Sequence, residues 1–241
     1  MTKGGALVVV NADDVGGGDA IDEQTFLRAD VGTVTSGSLL ATGPTFTSAA
    51  RAARARRRVS WGVHLDATGF PPLTAALTPW LDGDGRVSLT FRPGMGVEPA
   101  FATALADEWV AQVRRVREAG VAVDHLDTHE NLHWLAPIRP IFLAVCRRVG
   151  VARARGMGAP AGAWRLRARA RRLWNNLHLP RTTATTWTVR AFVDAGSPPA
   201  RSVELVVHPG NTSNVAFARE LRWLDQDGLR GWRTGSWRDI R

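Results

Sequence analysis

Short apolar runs alternate with longer stretches of helical period along this chain, the rhythm of strands joined by crossover helices. The first run, ALVVVNA, is apolar on both parities and predicts a buried strand. Residues 19–30 predict a helix, VGTVTSGSLLATGP a second strand ending at Gly43 and Pro44, and residues 45–57 a second helix. In VSWGVHLDA, Val59, Trp61, Val63 and Leu65 alternate with Ser60, Gly62, His64 and Asp66. A third strand therefore carries His64 on the face opposite its large apolar groups. Residues 67–97 are rich in Pro, Gly and Asp and predict a long loop with a short hairpin around DGDGRVSLTF.

Beyond Glu98, an apolar stripe of Phe101, Leu105, Trp109, Val113 and Val116 predicts a helix stopped by Gly120. VAVDHLDTH then predicts a strand, and residues 138–149 a helix ending at Gly150. Residues 158–181 predict an amphipathic covering helix, with Leu166, Ala170, Leu173, Trp174 and Leu177 on one face and arginines elsewhere. TTWTVRAF predicts a strand, SVELVVHPG a strand with a sharp turn, and GWRTGSWRDI a last strand or loop. No fixed repeat and no linker divides the chain, so residues 1–241 are expected to form one α/β domain, with 158–181 as its arginine-rich cover.

Charge changes this picture little. The formal charge of +9 comes from arginine, Lys3 being the only lysine, and is concentrated in RAARARRR (51–58) and in 165–172. Such runs are usually solvated faces, and no nucleic-acid-binding motif accompanies them, so nucleic acid is not the expected partner. No apolar run is long enough to span a membrane, and MTKGGALVVV lacks the form of a secretory signal. The lone Cys146 cannot form an intrachain disulfide. These features lead us to expect a soluble cytoplasmic protein.

The chemistry gathers at predicted strand ends. Asp13 and Asp14 end the first strand in NADDVG, His64 ends the third, His125, Asp127 and His129 end a later one, and His208 ends VELVV. In barrels and open α/β sheets, the loops after the strands surround a shared cleft. Two imidazoles and a carboxylate with open positions suit a divalent cation, and a neighbouring free aspartate suits proton abstraction. Adjacent carboxylates at Asp13 and Asp14 become tolerable if a cation offsets one charge and backbone alternation points them apart. In HLDTHENLH, His125 and His129 share a strand face, with His133 one turn on. His208, before Pro209, reads either as a turn histidine or as a proton donor across the cleft.

Taken together, NADDVG, TVTSGSLLATGP, GVHL, HLDTHENLH, ELVVHPG and GSWRDI resemble the YdjC/ChbG family of carbohydrate deacetylases, in order and over nearly the whole chain. That family is similar to NodB-type polysaccharide deacetylases in its barrel and metal logic. The resemblance implies a deformed TIM-like (β/α) barrel removing the N-acetyl group from an amino sugar or oligosaccharide with one divalent metal. It implies Asp14, His64 and His129 as metal ligands, Asp13 as general base and His208 as general acid or stabiliser of the intermediate. Asn11, His125, Asp127 and His133 become supporting or substrate-binding residues. Val15 stands where the family usually has an aromatic, and Glu130 and Asn131 interrupt its His-rich centre, so sugar preference is not inherited. The donor set admits zinc, cobalt, nickel, magnesium or manganese, and the oligomeric state, homodimer included, is left open. The rival readings are another metal-dependent amide or phosphoester hydrolase on this scaffold and, remotely, a non-catalytic nucleic-acid binder, which would bind with steep salt dependence.

Overall fold

The computed structural model describes residues 5–89, 96–156, 185–195, 201–214 and 216–240, so the covering helix expected at 158–181 lies outside the described residues. Its centre is a parallel sheet, β1 (Leu7–Val15), β2 (Ser36–Leu39), β3 (Ser60–Leu65), β4 (His125–Thr128), β5 (Thr185–Thr188), β6 (Ser202–Val207) and β7 (Arg233–Gly235), in the order β4-β3-β2-β1-β6-β5. One edge of β1 pairs with β6 over Leu7–Ala12; the other is shared, with β7 along Leu7–Val9 and β2 from Asn11 onward. On the far side of β4, Leu126 bridges Ala154 in parallel, and Thr186 of β5 donates to the Gly156 carbonyl at 2.7 Å. Residues 153–156 thus span the interval between the two outer strands, and the sheet curls into a deformed TIM-like barrel.

Crossover helices α1 (Asp19–Asp30), α2 (Phe46–Ala55), α3 (Pro99–Glu118) and α4 (Arg139–Val149) cover the outside. Val8, Val10 and Ala12 face them within a large core that includes Trp61, Val63, Trp109 and Phe142. The alternate residues of β1 face inward, and the interior changes character with height. At the bottom, Leu7 and Val9 pack with Trp237 and Ile240 from the C-terminal turn, an apolar plug. His125 stacks on Trp237 at 4.7 Å, and Gly62 is needed beside it because a Cβ there would lie 2.5 Å from the imidazole. Above the plug come Asn11, Ser38, Asp13, Asp127 and Glu204, all buried. Alternation thus builds an apolar floor under a polar well.

Several boundaries differ from the sequence expectation. The second strand is only Ser36–Leu39, and β4 covers only the latter part of VAVDHLDTH. TTWTVRAF is strand only to Thr188; Val189–Ala195 is helix α5. Thr188 Oγ1 accepts the Ala191 N–H at 3.2 Å as an N-cap, and Val189 and Phe192 share the buried face at helical spacing. The helix α6 (Phe217–Asp225) has no counterpart in the sequence expectation; it buries Glu220 and Leu224, and its Trp223 meets Phe192 edge-on at 5.9 Å. The short hairpin expected around DGDGRVSLTF is present in its described part, with an antiparallel Leu81–Val87 bridge, the Asp82 N–H on the Arg86 carbonyl at 2.8 Å and the Ser88 N–H on the Trp80 carbonyl at 3.1 Å, while residues 90 and 91 lie outside the described residues. No described helix is long and apolar enough to cross a membrane. Cys146 is buried, and burial pushes its thiol up to about 12.

Candidate metal centre at the carboxyl edge of the sheet

β1 delivers both aspartates to the well by breaking its own alternation. Asp14 has φ +65°, and the pairing of β1 with β2 shifts register between Ala12 and Val15. Simple alternation would send the two carboxylates to opposite faces. The bulge instead brings both near one imidazole, with His64 Nε2 3.4 Å from Asp14 Oδ1 and 3.9 Å from Asp13 Oδ2. This corrects the expectation that alternation alone separates them.

The well holds Asp14, His64 and His129 together. One donor atom from each lies within 4.8 Å of the others, with His129 Nδ1 3.2 Å from Asp14 Oδ1. His129 is the most accessible of the three. Beyond it the chain passes through left-handed Glu130 and Asn131, at φ +53° and +54°, a turn that non-glycine residues adopt at some cost. The 66–70 loop closes over the same imidazole: Asp66 accepts the N–H groups of Thr68, Gly69 and Phe70, and a Cβ on Gly69 would meet the His129 ring at 3.2 Å. Across the cleft Asn211 Nδ2 donates to Asp14 Oδ2 at 2.8 Å, leaving Oδ1 directed at the imidazoles.

The donor chemistry fits a divalent cation. His64 Nδ1 lies 2.7 Å from Asp127 Oδ1, so its proton sits on that nitrogen, and Nε2 turns toward the Asp14 carboxylate. A lone pair facing a carboxylate needs a positive charge between them. Without a metal that charge is a proton: burial opposes ionisation of His64, but Asp127, Asp13 and Asp14 outweigh it and hold the pKa well above the ordinary value. Burial likewise opposes the Asp14 anion, yet hydrogen bonds from His129 and His64 bring its pKa well below the usual range. A cluster that binds a proton this firmly is also built for a cation.

Asp13 has its own cation. Arg155 grips it with two prongs, Nη1 to Oδ2 at 2.8 Å and Nη2 to Oδ1 at 2.5 Å, while Asn11 Nδ2 donates to Oδ1 at 2.8 Å. Arg155 also reaches Asp127 Oδ2 at 2.9 Å and Glu204 Oε1 at 3.0 Å and is completely buried. Neither Arg155 nor Glu204 stands out in the sequence. The charge that makes adjacent Asp13 and Asp14 tolerable thus includes a guanidinium from residues 153–156.

The remaining expected residues divide by accessibility. Asn11, His125, Asp127 and His133 are all buried. Ser38 ties three of them together: its Oγ accepts from Asn11 Nδ2, donates to Asp127 Oδ2 at 2.6 Å and meets His125 Nε2 at 3.2 Å. Burial lowers His125 to about 4 and His133 to about 3, so both rings are neutral. His133 pins the loop, with Nδ1 2.7 Å from Thr128 Oγ1 and Nε2 3.1 Å from the Arg155 carbonyl. His208 is partly accessible; its Nδ1 meets Glu220 Oε2 at 3.2 Å, which also takes its backbone N–H at 2.9 Å. Burial opposes its charge, but Glu220, Asp13 and Asp14 raise its pKa above the ordinary value. The first arginine run lies elsewhere: Arg51, Arg54, Arg57 and Arg238 line an open cleft of about 810 Å³ beside Trp61, toward the amino end of β3.

Fold and site together define a parallel barrel protein with a cation-competent well at the carboxyl edge of its strands. The chain belongs to the YdjC-like protein family, whose description matches residues 7–234. It is 26% identical over 251 residues to the chitooligosaccharide deacetylase of Klebsiella pneumoniae strain 342, covering 97% of this chain and 99% of that one. It is 26% identical over 160 residues to the carbohydrate deacetylase of Halalkalibacterium halodurans, covering 66% of this chain and 68% of the relative. Among solved structures, a candidate cellobiose-phosphate cleavage protein from Enterococcus faecalis V583 superposes with a TM-score of 0.73 at 18% identity, covering 97% of this chain and 98% of that chain. The lactam utilization protein of Thermus thermophilus gives a TM-score of 0.55 at 16% identity, with 95% and 99% covered. These two likenesses speak to the fold alone.

Proposed function

We propose that this chain is a metal-dependent carbohydrate N-deacetylase, hydrolysing the N-acetyl group of an amino sugar or oligosaccharide to acetate and a free amine. The observation that carries this reading is the convergence of Asp14, His64 and His129, donor atoms within 4.8 Å of one another, beside a separately anchored Asp13. The deacetylase names of the Klebsiella and Halalkalibacterium relatives supply the substrate class.

Asp14, His64 and His129 would hold the ion; zinc and magnesium are the first candidates, with cobalt, nickel and manganese also compatible with the donors. Bound there, a divalent cation supplies Lewis acidity toward a carbonyl oxygen and lowers the pKa of water. Asp13 is the proton acceptor for the attacking water. Arg155 fixes its plane, and Oδ2, which accepts one bond from Nη1, keeps a lone pair on the side of His64. His208, its Nδ1 held by Glu220 and its pKa raised, retains a proton near neutrality and delivers it to the departing amine nitrogen. Asp127 keeps the His64 proton on Nδ1. Water adds to the carbonyl carbon, the C–N bond breaks, one proton leaves on Asp13 and another arrives at nitrogen from His208.

The test is acetate release from a panel of N-acetylated sugars, using metal-stripped and reconstituted protein, with phosphate release from phosphoesters measured in parallel. Acetate release that depends on added metal is expected. Asp13→Asn should abolish it while keeping the metal, and His129→Ala should deplete the metal. A fully active Asp13→Asn variant, or phosphate release in place of acetate, refutes the reading.

A further inference from the structure

Beneath the well, one guanidinium faces three carboxylates. Arg155 contacts Asp13 from β1, Asp127 from β4 and Glu204 from β6, all without appreciable solvent. One positive charge cannot balance three negative ones in a medium that screens poorly, so the placement of protons around each carboxylate matters.

Around Asp13 and Asp127 every neighbour is a donor. Asp13 receives Asn11 Nδ2 and both Nη atoms of Arg155. Asp127 receives the Ser38 hydroxyl, Arg155 Nη2 and His64 Nδ1. All the bonds they make are accepted ones, so each rests as an anion, and Asp13 Oδ2 keeps the lone pair with which it can take a proton. Glu204 differs. Its Oε1 accepts from Arg155 Nε at 3.0 Å, and among the described residues its Oε2 meets only the Thr186 hydroxyl, at 2.8 Å. That hydroxyl also lies 2.7 Å from the Gly156 carbonyl oxygen, which can only accept. A hydroxyl has one proton and cannot donate to both oxygens. The count closes if Thr186 donates to Gly156 and a protonated Glu204 donates to Thr186.

We propose that Glu204 is held as a neutral acid whose proton goes to Thr186 Oγ1, leaving the charge of Arg155 to position Asp13. Glu204 touches neither the substrate cleft nor the cation donors, so it acts through Arg155 as a positioning residue. Among the described residues, the groups facing it are Thr186 from β5, Arg155 from residues 153–156 and, across Arg155, Asp13 and Asp127. Burial is the main force pushing its carboxyl up, to about 7; Arg155 opposes this, and Asp127 and Asp13 reinforce it. Ionisation above that pH gives Arg155 a third anion to serve and loosens its two-pronged hold on Asp13. The role given to Asp13 rests on the function proposed above; the protonation of Glu204 does not.

The experiment uses the full metal-loaded chain with ¹³C-labelled glutamate, following side-chain carboxyl shifts by NMR against pH and assigning Glu204 from Glu204→Gln. One glutamate should titrate far above the ordinary value of about 4.3. Asp13→Asn should bring that titration down, because it removes a neighbouring anion. If every glutamate titrates near the ordinary value, the neutral acid is overturned, and this readout needs neither a variant that folds nor an active enzyme. Gln supplies an N–H where the acid supplies O–H, so Glu204→Gln should keep turnover at pH 6 and lack the alkaline loss caused by ionisation. The ratio of its acetate release to that of the parent should rise about tenfold between pH 6 and pH 8. A constant ratio removes the link from Glu204 to Asp13 even if the acid is neutral. Absence of acetate release in the parent sinks the function and leaves the titration to decide the protonation.

Discussion

Replacing Arg155 by Met tests the charge network most directly, because the side chain is fully buried and its volume is approximately kept. The variant loses Nη1 and Nη2 on Asp13, Nη2 on Asp127 and Nε on Glu204, and water cannot replace them without opening the barrel. Breaking a buried ion pair by removing one partner typically costs about 3–5 kcal/mol. Against a total stability of about 5–15 kcal/mol this is a large fraction, and at about 2–4 °C per kcal/mol for a chain of this size it lowers Tm by roughly 6–20 °C. The pH dependence separates electrostatics from packing. Arg155 lowers the carboxyl pKa of both Asp127 and Glu204, so its removal raises both in the folded state. A carboxyl whose folded pKa lies above its unfolded value binds more protons folded than unfolded in the interval between them, and stability there falls as pH rises. The deficit of Arg155→Met should therefore be smallest near pH 4 and grow toward neutrality. Urea unfolding of the metal-free proteins across that range measures it, with Arg155→Lys, which keeps the charge but not the fork, falling between parent and Met. A deficit under about 1 kcal/mol, or one independent of pH, would refute the assignment of Arg155 as the counter-charge of this cluster.

Asp127→Asn should weaken metal binding by about 10–100-fold, because an amide no longer enforces the Nδ1–H tautomer of His64; competition calorimetry with zinc checks it, and unchanged affinity removes Asp127 from this role. The neutral His133 sets an acid limit. Burial lowers its pKa to about 3, so between that value and about 6.5 the unfolded chain binds a proton that the folded one refuses, and stability falls as pH drops through this window. His133→Gln, with no ring to protonate, should flatten part of that slope by a few kcal/mol at most, measured as the urea midpoint against pH; an unchanged slope excludes His133 as its source.

The strand ends are legible in the sequence because apolar runs stop there on groups that burial penalises. LVVVNADD and GVHLD each place a titratable side chain where a buried strand would otherwise continue, and the structure brings Asp13, Asp14, His64 and His129 within one well. The direction of Asp14 is not legible, since period-two reasoning assumes a regular strand and this one bulges at a left-handed aspartate. The switch from strand to helix at Thr188 does carry a signal: a threonine N-cap followed by Val189 and Phe192 at helical spacing. Arg155 is the instructive omission. In VARARG the arginines look like the solvated ones that crowd this chain, and nothing local distinguishes Arg155 from Arg153. The signal lies in its partners. Alternation in β1, β4 and β6 turns Asp13, Asp127 and Glu204 inward, and no arginine or lysine lies within any of these strands to meet them. Three inward acids require a cation from a neighbouring segment, and the interval between β4 and β5 is where a parallel barrel has room for one. Counting inward charges strand by strand, before asking which residues do chemistry, finds the counter-ion that a motif search overlooks.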